Sequence, residues 1–115
     1  MTEQSELVVL WTSGDKEVAE NMVFMYTLNS AVNDWWEDVR LLVWGASTGL
    51  LRDDRDLQYW IDQLHDAGVH VEACKSCAEN YGAVEALEDL DIEVYYIGET
   101  LTTYFKDDDR YVMTV

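Results

Sequence analysis

A chain of 115 residues is expected to form one compact domain, and a 49% hydrophobic composition with five Trp and seven Tyr excludes a disordered chain. Twenty-four acids against seven Lys and Arg give a formal charge of −17, which repels phosphate backbones and anionic lipid, so neither nucleic acid nor a membrane is an expected partner. No stretch approaches the ~20 apolar residues of a bilayer span, and the opening MTEQSELVVLW has no basic residue and does not read as a signal peptide. Two cysteines are too few for a disulfide framework, so a reducing cytoplasm is the expected compartment.

Leu7 to Trp11 is a short continuous apolar run, the mark of a buried parallel strand. It ends in Thr12-Ser13-Gly14-Asp15. That loop lacks the G-x4-G-K spacing of a phosphate loop. Asp15 is placed to cap a helix whose first turn carries Glu17, and Val18, Met22, Met25, Tyr26, Asn29 and Val32 recur at helical spacing. The Met22 and Met25 stripe reads as core rather than as a partner groove. Trp35-Trp36, flanked by acids, suits either an exposed interface anchor or an inward-packed helix terminator.

Val39 to Trp44 predicts a second strand, followed by Gly45-Ala46-Ser47-Thr48-Gly49 as a loop. Asp53 or Asp54 caps a helix with Leu57, Trp60, Ile61 and Leu64 inward, and Gly68 stops it. Val69 to Ala73 is a third strand. Ser76-Cys77-Ala78-Glu79 fits a capping box opening a helix through Val84, Leu87 and Leu90. Ile92 to Ile97 is a fourth strand, and Gly98-Glu99-Thr100 opens a short helix around Leu101, Tyr104 and Phe105. Asp107-Asp108-Asp109 reads as a solvated turn before an edge strand over Arg110 to Val115. Units of about thirty residues alternating strand and helix imply βαβ crossovers. The expected fold is α/β, a mostly parallel five-stranded sheet with helices on both faces and its site at the carboxyl ends of the strands.

The two cysteines lie three apart, Cys74 at the end of strand three and Cys77 one past the expected cap Ser76. Helix amides and Lys75 favour a thiolate there, and the acidic chain opposes it. Four uses remain open. Both thiols can be small packed residues. Zinc wants four ligands, and His70, Cys74 and Cys77 supply three, with His65 on another helix, so no metal is expected. A thioredoxin-like dithiol fits the strand-to-helix position, but the chain has no proline to face it. An accessible thiolate can also accept and pass on sulfur. Thr12, Ser13, Ser47 and Thr48, with Trp44, Lys75 and Ser76, are candidates to line a small pocket beside Cys74. The hydroxyls serve equally as loop residues satisfying backbone groups. No cofactor is called for.

The segments Leu-Val-Val-Leu-Trp-Thr-Ser, Lys-Glu-Val-Ala-Glu-Asn-Met-Val-Phe-Met-Tyr, Leu-Leu-Val-Trp-Gly-Ala-Ser, Gly-Val-His-Val-Glu-Ala-Cys-Lys-Ser-Cys-Ala-Glu-Asn-Tyr-Gly and Ile-Glu-Val-Tyr-Tyr-Ile-Gly-Glu-Thr-Leu-Thr span nearly the whole chain. Together they resemble the DsrE/DsrF-like family of small sulfur-handling proteins. The cysteine segment carries most of the likeness. The family's sulfur-carrying cysteine follows the third strand with a Gly eight residues on, as Cys74 and Gly82 do, and Cys77 matches the second thiol of its C-x-x-C members. Tyr81 stands where many relatives have Arg. The resemblance implies a flavodoxin-like fold, homotrimers or hexamers, and persulfide relay between donor and acceptor proteins, with Cys74 accepting sulfur and Cys77 assisting. The alternative within the same fold is a non-catalytic binding or assembly module.

Overall fold

Every residue of the first strand, Glu6–Trp11 (β1), is buried, as a strand covered on both faces must be. The computed structural model describes residues 4–115. The further strands are β2 (Asp38–Val43), β3 (His70–Cys74), β4 (Glu93–Tyr95) and β5 (Arg110–Thr114), in one sheet of order β4-β3-β2-β1-β5. Each pairing is parallel, so the sheet is parallel throughout, β5 included.

The strand order decides which face each helix covers. From β1 to β4 the chain steps three times in one direction. Right-handed crossovers therefore place all the intervening helices on one face. The return from β4 to β5 runs the other way and puts its helix, α7 (Gly98–Lys106), on the opposite face. Packing agrees. Leu7, Val9, Trp11, Leu41, Val43, Val71 and Ala73 meet Val23, Phe24, Leu51, Leu57, Ile61, Leu64 and Leu87 in the larger core. Val8, Leu10, Leu42 and Cys74 meet Ile97, Leu101 and Tyr104 of the return crossover in the smaller core.

Several helices depart from the sequence expectation. Asp15 does cap the first, accepting from the amides of Glu17 and Val18, but α1 (Lys16–Val18) runs through a π-helical stretch, Ala19–Phe24, into α2 (Met25–Val32). The inward residues are Ala19, Val23, Phe24, Thr27 and Ser30, one position out of phase with the expected stripe. Met22 and Met25 are exposed, not core. Of the tryptophan pair, Trp36 packs inward, donating from Nε1 to Tyr26 Oη (3.4 Å) and stacking on Tyr111, while Trp35 is exposed. The expected loop after β2 is a helix, α3 (Ala46–Asp53). Asp54 caps α4 (Arg55–Asp66), whose Leu57, Ile61 and Leu64 are buried. The expected third helix is two, α5 (Lys75–Asn80) and α6 (Val84–Glu88), parted by Gly82 at φ 61°.

Under α7 the amino half of the sheet is charged. Arg40 donates from Nε to Glu6 (3.0 Å) and from Nη1 to Glu72 (2.8 Å), and Arg110 lies 3.3 Å from Glu6. Tyr104 Oη donates to Glu72 at 2.8 Å, and Tyr95 Oη donates to its other oxygen. The Tyr104 ring is flanked by both guanidiniums, 5.4 and 4.8 Å from its centroid. Burial opposes the Arg40 charge, yet the two carboxylates hold its pKa above the ordinary value. No helix among the described residues is long and apolar enough to cross a membrane.

Candidate functional site

The carboxyl ends of all five strands lie along one edge of the parallel sheet, and there the β3–α5 junction holds both thiols. Cys74 is the last residue of β3 and, at φ −70° and ψ 119°, the N-cap of α5. The helix thus starts two residues earlier than the capping-box pattern implies. Ser76 is exposed at its second position and is not the cap, and Glu79 instead accepts from Tyr96 Oη at 3.0 Å. The pattern failed because the N-cap place was already taken by an extended residue ending a strand.

Both cysteines are free, and they differ in access. Cys74 is 4% exposed, inside the smaller core with Leu10, Leu42, Ile97 and Leu101. The expectation that it opens onto the site edge is therefore corrected. Burial pushes its thiol up, and the Cys77 side chain hydrogen-bonded beside it adds to the rise. Together these outweigh the downward pull of the Cys77 and Ser76 amides. Cys77 is half-buried, and the Gly45 amide donates to its Sγ at 3.3 Å. Gly45 has φ 72°, a left-handed conformation that favours glycine, at the turn into α3. That turn carries its N–H to the cysteine.

Of the other candidates, Trp44 joins the two cysteines in the smaller core. Lys75 places Nζ 5.3 Å over the Tyr96 ring. Three of the hydroxyls serve backbone groups. Thr12 donates to the Val115 carbonyl (2.9 Å), Ser47 to that of Trp11 (2.7 Å), and Ser13 accepts from the Asp15 amide (3.1 Å). Thr48 is buried, its hydroxyl without a partner. Sequence reasoning missed Gly45 and the α3–α5 contact. The Tyr81 ring lies against Gly49, where a Cβ would come within 2.7 Å of it, and Arg52 donates to the Tyr81 carbonyl. The signal was present in Gly45-Ala46-Ser47-Thr48-Gly49, whose two glycines mark a turn and a close approach.

His70 and Cys74 stand at opposite ends of β3, about 13 Å apart at a strand's rise per residue. They cannot share one zinc ion. Among the described residues no group of three or more His, Cys, Asp or Glu is placed to hold a metal. His65 instead lies with Nε2 3.1 Å from the Leu90 carbonyl.

Fold and site together define a parallel α/β protein with a dithiol at the carboxyl edge of its third strand. The DsrE/DsrF-like family model matches residues 7–113, and the chain belongs to that family. A conserved protein of unknown function from Bacteroides thetaiotaomicron, BT1422, superposes with a TM-score of 0.92 at 35% identity, over 96% of this chain and 95% of that one. The ychN protein of E. coli superposes with a TM-score of 0.70 at 16% identity, over 97% and 99%. No curated protein matches the chain.

Proposed function

We propose that this chain carries sulfur through its dithiol, receiving it from a donor persulfide and handing it to an acceptor thiol. The observation that supports this most is the pairing of a half-exposed Cys77, which receives an amide hydrogen bond, with a buried Cys74 three residues before it in the same small core. Family membership is the second support. The roles are the reverse of those the resemblance implies. Cys77 meets the partner, because a donor needs a sulfur it can reach.

The Cys77 thiolate attacks the outer sulfur of the donor persulfide. The donor's S–S bond breaks, its cysteine leaves as a thiolate, and Cys77 holds S–SH. An acceptor thiolate then takes the terminal sulfur and returns the Cys77 thiolate. Cys74, adjacent and protonated, resolves an undelivered persulfide. After losing its proton it attacks the inner sulfur, hydrosulfide leaves, and a Cys74–Cys77 disulfide closes. The carrier works in a reducing cytoplasm, where free thiols persist, and as a homotrimer or hexamer, as its family likeness suggests.

Intact mass after exposure to a small persulfide donor tests the reading. A gain of about 32 Da, one sulfur, is expected in the native chain and in Cys74→Ser, with a longer lifetime in the latter, and no gain in Cys77→Ser. A gain that survives Cys77→Ser and vanishes in Cys74→Ser would restore the original roles. The burial of Cys74 and the packing of Tyr81 on Gly49 favour a second reading, a non-catalytic binding or assembly module. No gain from any donor would select it.

A further inference from the structure

A short stretch of chain helps to cover Cys74. The cysteine closes β3 opposite Tyr95, its register partner on the edge strand β4. Two residues on, Ile97 is fully buried in the same small core as the thiol. Between them Tyr96 turns outward and is 62% exposed. The strand ends at Tyr95 and α7 begins at Gly98. Among the described residues, neither the Tyr96 nor the Ile97 amide N–H makes a backbone hydrogen bond. This connection thus lacks the backbone bonds that resist local opening.

Side chains hold it instead. Lys75, next after Cys74, sets Nζ 5.3 Å over the Tyr96 ring, and Tyr96 Oη donates to Glu79 at 3.0 Å. Lys75 and Glu79 stand four apart on α5 and so share one flank of it. One exposed ring between them ties the β4–α7 connection to the helix that carries Cys77. Contacts in water of this kind are weak, and the burial of Ile97 beneath them favours the closed position.

We propose that Tyr96 and Ile97 form a lid over Cys74, latched to α5 by Lys75 and Glu79, and that its opening admits a partner to Cys74. Closed, the lid leaves Cys77 as the reachable sulfur, and Cys74 reacts with Cys77 alone. Open, both thiols face the partner. The latch thereby regulates which sulfur of the dithiol is engaged. Its role in sulfur carriage rests on the function proposed above, whereas the lid itself rests only on the packing around Cys74.

Alkylation of a Cys77→Ser chain by N-ethylmaleimide tests the lid, since Cys74 is then the one thiol. The rate is followed by intact mass at fixed pH over a series of low urea concentrations. Labelling is expected to be slow and to rise less steeply with urea than global unfolding does, the mark of a local opening. Tyr96→Ala removes both latch contacts and is expected to speed labelling about fivefold or more. Tyr96→Phe keeps the ring and should speed it less, as should Glu79→Ala at an exposed position. The urea midpoint is expected to stay the same in all three. An unchanged rate in Tyr96→Ala would overturn the lid. So would labelling with the urea dependence of global unfolding, because Cys74 would then be reached only through the unfolded chain. Maleimide delivers no sulfur, so failure of the lid shows in the labelling rate and failure of the carrier in the missing mass gain from a persulfide donor.

Discussion

The two faces of the sheet are built by different means. One is covered by the helices of three successive crossovers and closes over an apolar core with Leu41, Ile61 and Leu64 fully buried. The other is covered by α7 alone, and its amino half is an ion-pair lattice of Glu6, Arg40, Glu72 and Arg110 clamped by two tyrosines. Where several helices are available, area removed from water is sufficient. Where one nine-residue helix spans the sheet, directional bonds fix its place instead. Cys74 lies on this thin side, two residues beyond Glu72 on the same strand face, so the dithiol borders the polar clamp.

Breaking the clamp should cost more than truncating Leu41 on the apolar face. Glu72→Ala leaves the half-buried Arg40 with one carboxylate fewer and takes the shared acceptor from Tyr95 and Tyr104, and is expected to lose about 3–5 kcal/mol in urea unfolding. Replacing Arg40 and Glu72 together by Met should cost less than Glu72→Ala alone. If the single change is the milder one, the lattice does not hold α7. On the apolar face Leu41→Ala should lose about 3 kcal/mol, the range for a buried leucine. The pH dependence separates the faces further. Burial and the Glu72 carboxylate hold both Tyr95 and Tyr104 above the ordinary phenol value of 10.0. Their protonated forms are thus favoured by folding. Their contribution is complete below pH 10 and declines as pH rises above it. Tyr104→Phe should flatten that alkaline decline, and Leu41→Ala should leave its shape unchanged. The smallest effect belongs to the helix end at Asp15, where Asp15→Ala removes a cap worth about 1 kcal/mol and should shift the urea midpoint without changing its slope.

Much of the architecture was legible because it depends on local pattern. The strand runs, the caps at Asp15 and Asp54 and the stop at Gly68 lie close to where spacing puts them. Errors arose where the pattern was ambiguous. The inward face of the first helical segment is marked by Ala19, Thr27 and Ser30, weak hydrophobic signals that the methionines outbid. The glycines of Gly45-Ala46-Ser47-Thr48-Gly49 suggested a loop, yet Gly45 supplies the positive-φ turn into α3 and Gly49 the room for Tyr81. At the site, sequence spacing placed both thiols at a strand-to-helix junction but gave no measure of their depth.

By itself the sequence determined the class of fold, the alternation of strands and helices and the family, since each rests on short-range order and residue identity. Tertiary structure alone decided that Cys74 is buried and Cys77 reachable, that Gly45 aims an amide at the outer thiol, and that Glu6, Arg40, Glu72 and Arg110 form one network. Those contacts join residues far apart in the chain. They depend on strand order and crossover handedness, which no local spacing contains.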